Sequence, residues 1–169
     1  MSVTINGNGT VTGLTALPAT AMASKSAVQF KSAIKTNTQT ISGNGGGSNG
    51  DDVDINGLSF TITPSSTSSL VFLQASIVAT VGSNNQMGFK IKANNSVITA
   101  ALGDAASSKM RNTASALYNG HVVSDWTVGN TTFAFAHAPA TTSAVTYKIC
   151  LNMATNDNTS YINRSIRDY

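Results

Sequence analysis

A chain of 169 residues with 41% hydrophobic side chains is long enough to bury the core of one domain. Only 10% of its residues are charged, against about a quarter in ordinary globular proteins, and Ser, Thr, Asn and Gly fill the deficit. The net charge of +3 is spread over ten Lys and Arg with no run of neighbours, which argues against a nucleic-acid footprint.

All seven acids are Asp and none is Glu, so a good helix former is replaced by an acid that prefers turns and caps. Cys150 is the only cysteine, which forbids an intrachain disulfide, and it stands in the apolar run Tyr147-Lys148-Ile149-Cys150-Leu151, where it reads as a small hydrophobe. No stretch approaches the roughly 18 apolar residues of a membrane helix, and the N-terminus lacks the basic start and apolar core of a signal peptide. These features predict a protein made soluble in a cytoplasm, with neither a nucleic acid nor a membrane as partner.

In chain order, Val3, Ile5 and Val11 alternate around Asn6-Gly7, a step suited to a tight turn, and predict a small hairpin or extended arm. Within 26–36, Val28, Phe30 and Ile34 fit neither period well; helix and strand are both open, with strand preferred for Val28 to Ile34. The stretch 42–50, Ser-Gly-Asn-Gly-Gly-Gly-Ser-Asn-Gly, has nothing to bury and reads as a loop or linker. The expected organisation is therefore an N-terminal arm with a Gly-rich loop over 1–50, contributing a strand at 26–36, and a β-sandwich domain over 51–169.

Ile55 to Ile62 and Leu70 to Val81 read as strands. Gly88 to Lys92 alternates cleanly, turns at Asn94-Asn95 and resumes from Val97 to Ala100, the best hairpin in the chain. Further strands are expected at Ser115 to Tyr118, Val122 to Val128, Thr132 to Ala136 and Val145 to Met153, with a half-strand at Tyr161 to Ser165. Eight or more short strands at this spacing indicate a sandwich or barrel. In Thr132 to Ala136, Phe133 and Phe135 alternate with Ala134 and Ala136, so one face carries rings and the other only methyls, suited to another sheet or a neighbouring subunit.

Three constellations invite chemistry. Asp52-Val53-Asp54-Ile55-Asn56-Gly57 matches the start of a calcium loop, with oxygen donors at alternate positions for a hard cation. The closing acid is absent, since Thr63 occupies the twelfth position, so an acidic turn before a strand is preferred over a calcium site at Asp52, Asp54 and Asn56. His121 and Asp125 suggest a catalytic pair, but there is no Gly-x-Ser-x-Gly elbow and no Glu to act as a raised-pKa acid, so no enzyme is expected. Asp51 and Asp52 are adjacent and would face opposite sides of a strand, which rules them out as a glycosidase pair. Trp126, with Tyr118 and His121, offers an aromatic platform for a sugar ring, though a Trp capping the core is preferred.

Four strings carry a family resemblance: Ile5 to Pro18 (Ile-Asn-Gly-Asn-Gly-Thr-Val-Thr-Gly-Leu-Thr-Ala-Leu-Pro), Gly103 to Arg111 (Gly-Asp-Ala-Ala-Ser-Ser-Lys-Met-Arg), Thr141 to Tyr147 (Thr-Thr-Ser-Ala-Val-Thr-Tyr) and Tyr161 to Ser165 (Tyr-Ile-Asn-Arg-Ser). Together they resemble small virion proteins and tail-fibre C-terminal domains of marine and freshwater phages, cyanophages included. The resemblance implies a jelly-roll β-sandwich of the tumour-necrosis-factor or C1q type, a homotrimer on the virion surface, with no catalytic residues; apart from the calcium-like string, no cofactor is expected. It places Gly103 to Arg111 in a loop where Asp104 and Arg111 would pair. The implied partners are other virion proteins, either the major capsid protein or tail components, and host surface glycans. The sequence carries no fibre shaft, which favours a capsid decoration or cement protein over the receptor-binding head of a tail fibre or spike.

Overall fold

The computed structural model describes residues 4–5, 11–12, 29–42, 52–81, 86–107, 110–118, 128–153 and 159–165. Two compact units divide the chain at Phe30/Lys31. In the first, β1 (Thr4–Ile5) pairs antiparallel with β2 (Val11–Thr12), the hairpin form of the expected hairpin or arm, while Asn6-Gly7 lies outside the described residues.

The second unit is all-β. Its strands are β3 (Gln39–Ser42), β4 (Val53–Ile62), β5 (Val71–Val81), β6 (Gln86–Ala93), β7 (Ser96–Val97), β8 (Ala114–Tyr118), β9 (Gly129–His137), β10 (Val145–Met153) and β11 (Thr159–Ile162). They form two antiparallel sheets. One runs β4-β10-β6, with β7 and β8 both paired to the far edge of β6, and the other runs β3-β11-β5-β9. Apart from β6, β7 and β8, successive strands alternate between the sheets, so almost every connection crosses the sandwich.

Alternation decides which side chains meet between the sheets. Met87, Phe89 and Ile91 of β6 and Tyr147, Leu151 and Met153 of β10 face Val71, Leu73, Ile77, Ala79 and Val81 of β5. Two aromatic contacts span the gap: Phe89 stacks on Phe133 of β9 with centroids 6.2 Å apart, and His137 of β9 meets Tyr147 edge-on at 5.6 Å. Ala75 lies opposite Phe133 in the β5–β9 ladder, a small neighbour that leaves room for the ring.

Several expectations need correction. Residues 29–38 form no strand; the strand near them is Gln39–Ser42, held on β11, so the sandwich begins before residue 51. After Asn94 and Asn95, both at positive φ as a tight hairpin turn requires, only Ser96–Val97 pairs back, and Thr99–Ala101 winds into a single 3-10 turn. The last strand among the described residues is Thr159–Ile162, because Asn163 at φ 59 turns the backbone out of the ladder before Arg164 and Ser165. Most of Val122 to Val128 lies outside the described residues. Arg111 donates to the carbonyl of Gly103 at 2.7 Å, closing that loop on backbone instead of on Asp104.

Replacing Phe133 with Ala is expected to cost about 3–5 kcal/mol, since it removes a 9% exposed ring from the contact that joins the sheets. Phe135→Ala, at a half-buried position, should cost clearly less. Urea unfolding of the two variants beside the parent measures the difference.

Candidate functional site

The inward row of β4 changes phase along the strand. Val53 and Ile55 point into the core at odd positions, whereas Leu58, Phe60 and Ile62 do so at even ones. The shift occurs at Asn56-Gly57. Asp54 lies opposite Cys150 and Ser59 opposite Lys148, so β4 inserts extra residues against one of β10, and Gly57 takes φ 87, where a side chain would be strained. Gln39 of β3 satisfies the backbone that the bulge frees: its Nε2 donates to the Asp54 carbonyl at 3.4 Å and its Oε1 accepts the Asn56 N–H at 2.9 Å.

The bulge thereby fixes Asp54 on the outward face, where β6 and β10 place three lysines. Lys148 is directly opposite Lys92, a like-charge pair that needs acids beside it. Lys92 and Lys148 reach the two oxygens of Asp54 at 2.6 and 3.0 Å, and Lys92 also donates to the Asp52 carbonyl at 3.0 Å. Lys90 reaches Asp52 Oδ1 at 2.8 Å, and the same oxygen accepts Asn152 Nδ2 at 3.1 Å. Burial works against the charge on Asp54, but the hydrogen bonds from Lys92 and Lys148 outweigh it and hold the carboxyl below its ordinary range. For Lys92 burial likewise opposes the charge, and the hydrogen bond it donates to Asp54 leads the interactions that leave its pKa raised. The Cys150 thiol beneath the cluster is pushed up to about 12, chiefly by burial, which keeps it a protonated, unreactive packing group.

The calcium-like string is thus the start of a strand whose two carboxylates neutralise lysines. Asn56 is committed through its backbone to Gln39, and among the described residues no group of three His, Cys, Asp or Glu side chains is arranged to hold a metal. Of the proposed sugar platform, Trp126 and His121 lie outside the described residues, as does Asp125. Tyr118 ends β8, its backbone paired with Gln86. The lysines of the cluster were missed from sequence, although the alternation in Phe89-Lys90-Ile91-Lys92 and Tyr147-Lys148-Ile149 carries the signal. Aligned in one sheet, those strands put three ammonium groups on one face, which demands acids close by.

The outward face of the other sheet is of opposite character. Along β5 and β9 its positions are Phe72, Gln74, Ser76 and Val78 beside Ala136, Ala134, Thr132 and Asn130, none of them charged. Phe72 is 69% exposed and Val78 38%, and Leu70 is exposed at the adjoining end. Thr132 donates to Ser76, which donates to Asn130 Oδ1, so these polar groups are largely satisfied within the face. Just past β11, the guanidinium of Arg164 lies 4.7 Å from the centroid of the Tyr161 ring, a cation–π contact. No helix among the described residues is long and apolar enough to cross a membrane.

No protein-family model, curated protein or solved structure matches this chain.

His137 Nδ1 lies 2.8 Å from the Tyr147 hydroxyl, and burial lowers the imidazole pKa from its ordinary 6.5. A lowered folded-state pKa means that the neutral ring is preferred in the fold. Its contribution is present above about pH 6.5 and is lost as pH falls through the folded value. Asp54 adds a second loss of the same sign at lower pH, beneath its ordinary 3.8. Calorimetric Tm values taken between about pH 7.5 and 3 should therefore fall in two steps, and His137→Phe should remove the first and leave the second.

Proposed function

We propose that this chain is a non-enzymatic structural protein of a bacteriophage virion, a jelly-roll sandwich carried as a homotrimer on the particle surface, where it decorates or cements the capsid. The jelly-roll reading is supported by the order of eight strands, β4-β10-β6-β8 against β3-β11-β5-β9, with sequence neighbours repeatedly placed in opposite sheets.

The observation that carries the assembly is the uncharged outer face of β5 and β9. An exposed Phe72 and Val78 beside the methyls of Ala134 and Ala136 make an uncharged surface that packs against a second copy without burying charge. Residues with internally satisfied hydroxyls lose little on leaving water there. The resemblance of the Gly103-to-Arg111 and Tyr161-to-Ser165 strings to phage virion proteins gives the setting, and the partners in it are other virion proteins. The low density of charge suits a protein whose task is to lie against its neighbours.

Antibody raised against the chain and viewed on intact virions by electron microscopy should decorate the capsid shell. Label on fibres or spikes would select instead the receptor-binding head, with host surface glycans as its ligand. Particles that carry no label anywhere would contradict the virion assignment.

A further inference from the structure

On the outward face of the β4-β10-β6 sheet, Lys90 pairs with Cys150 and Asn152 with Gly88, so Lys90 and Asn152 are diagonal neighbours that leave the same side of the ladder. Both are withdrawn from solvent, Asn152 fully and Lys90 to 8%. A single oxygen joins them: Asp52 Oδ1 accepts Lys90 Nζ at 2.8 Å and Asn152 Nδ2 at 3.1 Å. A primary amine, a carboxamide and a carboxylate that touches both are the groups that amide transfer needs. Their enclosure limits competing water.

We propose that Lys90 and Asn152 join in an intramolecular isopeptide bond, with Asp52 carrying the protons. Asp52 takes a proton from the Lys90 ammonium, and the freed Nζ lone pair attacks Cγ of Asn152 to form the new C–N bond. Asp52 then passes protons from Nζ to Nδ2, the original carboxamide C–N bond breaks, and the nitrogen departs as ammonium. Two protons move from one nitrogen to the other, Asp52 ends as it began, and nothing is oxidised or reduced. Lys92 and Lys148 do not compete, because Asp54 engages both at 2.6 and 3.0 Å and their ammonium groups are not on the Asp52 carboxylate.

The bond ties β6 to β10 across a long intervening stretch that includes β7, β8 and β9. A chain whose only cysteine is the buried Cys150 has no disulfide with which to make such a tie. Closing that loop restricts the unfolded chain as a disulfide would. The bond stands independently of where the protein is displayed.

The test is the intact mass of the purified, denatured full chain after prolonged incubation in the folded state. The mass should fall short of the sequence value by about 17 Da, one ammonia, and a protease digest should contain a branched peptide joining Lys90 to Asn152. Lys90→Arg, which keeps the charge but cannot form this bond, and Asp52→Asn should each show their full sequence mass. A parent protein at full sequence mass overturns the proposal, as does a deficit that persists in Lys90→Arg. A loss of about 18 Da, one water, would put the bond on a carboxylate and overturn the assignment to Asn152. The branched peptide is read on the parent protein, so the outcome does not depend on either variant folding.

Discussion

The stack of Phe89 on Phe133, with the edge-on contact of His137 and Tyr147 beside it, joins the two sheets, and the remaining geometry follows from that closure. Once alternate residues of β5, β6, β9 and β10 are committed inward, the others must face outward, and a slip of one residue would exchange the two sets. The Asn56-Gly57 bulge meets the same demand within β4. It keeps Val53 and Ile55 inward at one end and Leu58, Phe60 and Ile62 inward at the other, and so aims Asp54 at Lys92 and Lys148.

The two outer faces have divided the chain's polar resources unequally. One gathers Lys90, Lys92, Lys148, Asp52 and Asp54 into a cluster in which each ammonium meets a carboxylate. The other carries no charge along β5 and β9 and leaves Phe72 and Val78 exposed. In a chain with 10% charged residues, such segregation separates a face whose charges are paired from a face that gains by being covered. This contrast favours assembly through the β5–β9 face and a local, covalent or ionic role for the opposite one.

The central strands were legible because their alternation is long and regular: Val145–Met153 was expected with those bounds, and Ile55 to Ile62 and Leu70 to Val81 differ from the observed strands only at their N-terminal ends. What escaped was set by partners distant in sequence. Gln39–Ser42 is too short and polar to declare itself, and becomes a strand because β11 offers it a ladder. Asp52 and Asp54 read as cation ligands because their spacing is visible in one dimension, while Lys90 and Lys148, which claim them, arrive from 38 and 94 residues away. Asn56-Gly57 lay inside the expected strand Ile55 to Ile62, and only the pairing with β10 reveals the bulge there.

Light scattering on the purified chain, beside a Phe72→Asp variant, tests most directly whether the uncharged face is an assembly surface. The parent should show about three times the mass of the 17.4 kDa chain, and Phe72→Asp should be a folded monomer, because burying a carboxylate at a face with no cation on β5 or β9 costs several kcal/mol. A parent that remains monomeric at every working concentration, or a Phe72→Asp variant that stays trimeric, would contradict the assignment of the β5–β9 face.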